Sequence, residues 1–153
     1  MNRRQIQLGF VLILVALFTG LGLPLFTNPR LGLAAHLAGI TGGLVLVVLG
    51  ALAGSFKLRP GTLIVMTWSW VYAAYANWLA CLVGAITGAS RLTPIAGAGT
   101  VGSSMSEAVV SFLLVSLSVA AIVGTSLAAW GFRKVETLDA PRPVASDVLP
   151  SSL

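Results

Sequence analysis

One histidine, His36, lies inside a long apolar stretch, and no side chain of this sequence is better equipped for chemistry. An imidazole can ligate a metal or carry a proton near neutral pH. In hydrocarbon it must also find a partner, because an unsatisfied polar group there costs several kcal/mol. Two readings follow. His36 hydrogen-bonds to a neighbouring carbonyl or hydroxyl, or it serves as an axial ligand to a haem iron or as a proton-transfer group. The sequence has no second His and no Cys-His pair, which excludes a multi-ligand zinc site. A haem differs, since one axial nitrogen suffices and the macrocycle supplies the rest.

A second polar group, Asn77, sits deep in another apolar stretch with Tyr72, Tyr75, Trp68, Trp70 and Trp78 around it. Interfacial aromatic belts occupy helix ends; Trp68 fits one, whereas Tyr75 and Trp78 are too deep. They read either as the wall of an aromatic pocket or as core residues using their polar tips. Glu107 follows Ser104 at capping-box spacing, so a helix cap is expected, with a catalytic carboxylate as the other role open to it. Cys81 is the lone cysteine, which rules out an internal disulfide and reads as a small packing residue. The run 97–102 spells a dinucleotide fingerprint, but that motif needs a preceding strand and a parallel sheet, which a loop between membrane helices does not offer.

The elements that must position these groups are four apolar stretches, 8–26, 31–56, 61–88 and 105–132. A hydrocarbon core about 30 Å thick is crossed by about 20 mostly apolar residues in a helix. Each stretch reaches that length, and a mean hydropathy of +0.97 with 8% charged residues excludes a water-soluble globule. The expected fold is all-α: an integral membrane four-helix antiparallel bundle over 1–134, followed by a disordered cytoplasmic tail over 135–153 that is rich in Pro, Ser and Ala. The first stretch is too long for a signal-peptide core and lacks a small-x-small cleavage site, so it is retained as a helix.

The excess of basic residues sets topology and does not indicate nucleic-acid binding. Arg3, Arg4, Lys57, Arg59, Arg133, Lys134 and Arg142 fall on one side of the expected helices, and only Arg30 and Arg91 on the other. The positive-inside rule then puts both termini in the cytoplasm. Gly39 with Gly43, Gly50 with Gly54, and Gly84 with Gly88 are four-residue small pairs that let helix backbones approach closely. Trp70, Ala74, Asn77, Cys81, Gly84 and Gly88 share one face of the third helix, which directs Asn77 into protein. A bundle core and an oligomer interface satisfy that pattern equally.

Three runs carry a family resemblance. Asn28-Pro29-Arg30-Leu31-Gly32-Leu33-Ala34-Ala35-His36-Leu37-Ala38-Gly39 resembles the second-helix motif of bacterial hydroxylaminobenzene mutases, and Tyr75-Ala76-Asn77-Trp78-Leu79-Ala80 resembles their third. Glu107-Ala108-Val109-Val110 is similar in position and type, so the likeness spans most of residues 5–134. More distantly the chain resembles styrene oxide isomerase, a membrane enzyme of the same superfamily. The resemblance implies an isomerase in the bacterial inner membrane that moves oxygen within a small apolar aromatic substrate: an arylhydroxylamine to an aminophenol, or an aryl epoxide to a carbonyl. It further implies haem b held by His36, with Asn77 and Tyr75 on the substrate side, and a homo-oligomer, a trimer in the relative.

Two positions depart from the mutase pattern. Ala38 stands where the mutases carry Glu, and Gly42 where they carry Asn. The loss of a carboxylate and a carboxamide within two turns of His36 removes polar contacts to substrate or cofactor. A non-catalytic haem-binding subunit and a purely structural four-helix protein therefore stand as the alternatives to an isomerase.

Overall fold

The computed structural model describes residues 1–133, so the tail expected over 135–153 lies outside the described residues. Among the described residues every regular element is helical: α1 (Arg3–Leu21), α2 (Pro29–Ala51), α3 (Pro60–Thr87), a short α4 (Pro94–Gly97) and α5 (Ser104–Gly131). Four of these, α2 being prolonged by a 3₁₀ turn at Leu52–Gly54, are long and apolar enough to cross a membrane.

Local chemistry sets the ends. Asn2 caps α1, its side chain accepting from the Gln5 amide at 3.2 Å. The first turn, with Arg3, Arg4 and Gln5, is therefore helical although it is polar, and a hydropathy window misses it. Proline occupies the first turn of both α2 and α3, where its missing N–H is no loss. Gly88 closes α3 in the left-handed conformation, φ 76°, with its N–H on the Gly84 carbonyl at 2.8 Å. The Gly84/Gly88 pair is thus a helix terminator. Gly84 faces the returning chain at Ala89 and also Leu31 of α2, where a Cβ would come 2.8 Å from the Ala89 carbonyl oxygen and 3.1 Å from the Leu31 side chain.

The α1–α2 contact is the seam the small residues foretold. A Cβ on Gly43 would come 2.6 Å from the Gly9 carbonyl oxygen, and one on Gly39 would come 2.5 Å from Ala16 Cβ. The Asn2 amide donates to the Gly50 carbonyl at 2.7 Å at one end of this seam, and Gly20 meets His36 at the other. Next in the row comes α3, packed on α2, and α5 packs principally on α3. Leu12, Leu46, Val71 and Ala74 form the buried core where the first three helices meet.

Much of α5 remains exposed, including Phe112, Val115, Val119 and Ile122. Apolar side chains facing outward on a spanning helix suit lipid or another subunit. At the end of the molecule bearing Lys57, Arg4 stacks over Trp68 at 5.4 Å and Arg133 over Trp130 at 4.6 Å. Paired cations and aromatic rings are typical of a membrane–water interface. The Lys57 amide donates to the Gly131 carbonyl at 2.9 Å, closing this end.

Candidate functional site

His36 lies two turns into α2, about 10 Å from its start by helical rise. Its Nδ1 is 2.7 Å from the Ala16 carbonyl oxygen of α1. A carbonyl can only accept, so Nδ1 carries the proton and Nε2 presents its lone pair. Gly20 makes room for the ring: a Cβ there would come 2.6 Å from Nδ1. The imidazole is partly buried and held in one tautomer, the usual preparation of a histidine that ligates metal through Nε2.

Tyr75 and Trp78 are core residues with their polar tips satisfied. The Tyr75 hydroxyl crosses to α1 and donates to the Leu8 carbonyl at 2.9 Å. The Trp78 indole donates to Thr19 Oγ1 at 3.1 Å, and the Thr19 hydroxyl in turn donates to the Val15 carbonyl at 2.9 Å. Of the two readings open in the sequence, pocket wall or core, the structure gives the core.

Asn77 faces elsewhere. It lies in a groove of about 190 Å³ with α3 as its floor, α2 and α5 as its walls. Ala38, Thr41 and Gly42 line one wall, Leu117 and Ala121 the other, and Trp70 shares the floor. Asn77 Oδ1 receives only the Cys81 thiol, at 3.9 Å. Tyr75 and Asn77, two positions apart on one helix, point about 160° away from each other. His36 is likewise turned to α1, on the side of α2 away from the groove wall of Ala38 and Thr41. Within one chain, then, His36, Tyr75 and Asn77 are not brought together. The groove instead unites Asn77 with Ala38 and Gly42, the two positions that the sequence reading singled out as departures from the mutase motif.

Glu107 is spent on the loop that precedes it. Its Oε1 accepts from the Ser90 and Gly102 amides at 3.0 and 3.1 Å, and its Oε2 from the Arg91 amide at 2.9 Å. The cap of α5 is Ser103, which accepts from the Ser106 amide at 3.2 Å, and the box expected between Ser104 and Glu107 does not form because the carboxylate is turned to the loop. The 97–102 run lies in this loop, beside an open cavity of about 570 Å³ lined by Arg91, Thr100 and Glu107. Among the described residues there is no cluster of three His, Cys, Asp or Glu that would hold a metal ion.

Three residues gained no role from sequence alone. Gly20 seats the imidazole, while Thr41 lines the groove beside Trp70 and Asn77, which the sequence had already placed on one face of α3. Asn28 is a hub: its Oδ1 caps α2 through the Arg30 and Leu31 amides at 3.0 and 3.1 Å, and its Nδ2 donates to Gly97 O and Thr100 Oγ1 at 2.9 and 3.0 Å. An Asn directly before Pro at a helix start is a legible cap signal. The others have none, since their partners lie on different helices.

The family model described as styrene oxide isomerase matches residues 1–133. Hydroxylaminobenzene mutase HabB of Ectopseudomonas oleovorans is 41% identical over 143 residues, covering 91% of this chain and 87% of that protein. Hydroxylaminobenzene mutase HabA of the same organism is 41% identical over 110 residues, covering 71% of this chain and 82% of that protein. No solved structure matches.

Proposed function

The chain belongs to the styrene oxide isomerase family and is a multi-pass membrane isomerase, and we propose that it rearranges an arylhydroxylamine to an aminophenol, with an aryl epoxide as the second substrate class to test. The proposal includes haem b as cofactor and the bacterial inner membrane as location. It takes the helices as an antiparallel bundle with both termini cytoplasmic, in keeping with the charge distribution.

The observation that carries the cofactor is the His36–Ala16 hydrogen bond. It leaves Nε2 free, and Gly20 removes the side chain that would push the ring off its seat. His36 would hold a haem iron through Nε2, with Ala16 and Gly20 fixing the position of its ring. When bound, ferric haem supplies a Lewis acid for carbon–oxygen or nitrogen–oxygen rearrangement without net redox change.

The chain's own groups do the rest. The Asn77 amide, largely unengaged inside an apolar groove, orients the polar end of a small aromatic molecule that enters from the bilayer. Tyr75 holds α3 against α1 and so fixes the depth of Asn77. Since His36 and Asn77 lie on different sides of α2, we place the complete site between subunits of a homo-oligomer, with the trimer as its expected state. The exposed apolar face of α5 leaves room for such a contact.

The test is spectroscopic and chemical. Protein purified in detergent with haem supplied should show a Soret band and convert phenylhydroxylamine to aminophenol without added reductant. A band without conversion of either substrate class would reject the reaction, and conversion without a band would reject the cofactor.

A further inference from the structure

We infer that Thr41 is a specificity-determining residue of the groove, reading a hydrogen-bond donor on the bound aromatic molecule; this rests on the proposal that the Asn77 groove is the substrate site. Thr41 and Asn77 lie at matching depth on neighbouring helices. Helical rise puts Thr41 about 18 Å from the start of α2 and Asn77 about 15 Å from the end of α3, and both of those ends face the same loops.

The Thr41 hydroxyl has its hydrogen committed. It donates to the Leu37 carbonyl at 2.8 Å, with the Ala38 carbonyl at 3.3 Å sharing it. What Thr41 Oγ1 turns outward is therefore lone pairs alone. Back-bonding of this kind is common for threonine in a spanning helix and by itself signals nothing. Here, however, the residue forms the wall of a cavity whose floor carries an amide engaged only by a thiol at 3.9 Å. The facing wall, Leu117 and Ala121, has no polar side chain. The Trp70 indole nitrogen is buried and without a partner, close to Gly124, where a Cβ would lie 3.0 Å from it. It is not presented to the groove.

Facing the ligand, then, are an acceptor from Thr41 and both an acceptor and a donor from Asn77. An arylhydroxylamine has N–H and O–H groups to satisfy such acceptors, whereas an aryl epoxide offers only an acceptor oxygen. A site built to accept a hydrogen discriminates against the analogue that lacks one, because its polar groups are left unpaired. With Ala38 and Gly42 contributing nothing polar, Thr41 is the side chain of the α2 wall that can make this distinction.

The experiment uses the full chain in lipid nanodiscs and two unreactive probes of similar shape, phenol with a donor and anisole without one. Binding is measured by calorimetric titration for wild type, Thr41→Val and Thr41→Ser. Thr41→Val should weaken phenol by about tenfold, the scale of one net hydrogen bond, and leave anisole unchanged. Thr41→Ser should keep the phenol affinity. Equal effects on the two probes, no effect on either, or no phenol binding by wild type would each overturn the inference. Phenylhydroxylamine turnover is followed in parallel: donor-selective loss in a protein that forms no aminophenol upholds Thr41 as a reader of donors and rejects the proposed reaction instead.

Discussion

The Nδ1 atom of His36 lies 2.7 Å from the carbonyl oxygen of Ala16, joining α2 to α1 through the only ionisable side chain deep within the described part of α2. The bond satisfies one ring nitrogen and defines the other as acceptor. The two readings of His36 are therefore compatible: the backbone hydrogen bond that makes a buried imidazole tolerable also leaves Nε2 with a lone pair to offer a ligand.

His36→Ala should abolish the Soret band or shift it markedly while leaving insertion unchanged, because alanine cannot coordinate iron and the helix loses no hydrophobicity. Gly20→Val provides the finer measurement. Its side chain would occupy the space of Nδ1, so haem affinity should fall by about 10- to 100-fold, the range seen when an outer-shell partner of a ligand is disturbed. Haem titration followed at the Soret maximum reads both variants, and unchanged spectra in both would remove His36 as ligand.

Asn77→Leu should lower kcat for phenylhydroxylamine by about 100-fold, the scale for removing one oriented polar group from a site. Its protein contacts amount to a weak thiol interaction, so retention of helical circular dichroism and of the elution profile is expected. A variant that unfolds would instead make Asn77 a packing residue.

The four spanning helices were legible because hydropathy and length report on the bilayer, a solvent the sequence must match along its whole length. The glycine seam at Gly39 and Gly43 was legible for a similar reason, since small residues at four-residue spacing have few uses in a membrane helix. Gly84 and Gly88 carried the same spacing, yet only Gly84 meets another spanning helix, at Leu31 of α2, and Gly88 is a terminator; spacing does not reveal that Gly88 sits at φ 76°. The site was less legible still. Tyr75 and Asn77 share a motif yet point to different sides of α3, and the seat of His36 is made by α1 residues that carry no chemical signature.

Gln5 offers a stability test. It is 1% exposed, and both polar atoms of its amide lack a partner in the protein. Gln5→Met keeps the length of the side chain and removes the unpaired donor and acceptor, so stability should rise by about 1–2 kcal/mol. Retention of monodisperse protein after heating measures this. A fall in heat resistance would show that an ordered partner, such as water in the adjoining cavity of about 90 Å³, satisfies the amide.

Asn28→Ala should act in the other direction. One side chain caps α2 and ties the loop around Gly97 and Thr100 to it, and it is 3% exposed. A lost cap with its buried partners left unpaired costs about 2 kcal/mol. The loss should be seen as lower heat resistance, with faster proteolysis between Ser90 and Ser103 as the local signature. Intact protection of that loop would separate the two functions of Asn28.

The departures at Ala38 and Gly42 can be examined by restoring what the mutase motif carries. Both positions line the Asn77 groove, but they are not equivalent. A Cβ on Gly42 would stand 3.0 Å from Ala74 Cβ, so the α2–α3 contact must open by a few tenths of an ångström to accept Asn there. Gly42→Asn alone should therefore lower heat resistance, and Ala74→Gly in the same chain should recover it by removing the opposing methyl. In that relieved background, adding Ala38→Glu places a carboxylate and a carboxamide beside Asn77, and arylhydroxylamine turnover should rise by about tenfold through the added polar contacts. Turnover that stays at the wild-type level in a stable variant would mean that Thr41 and Asn77 already suffice to orient the substrate, and that the motif's polar pair is dispensable in this groove.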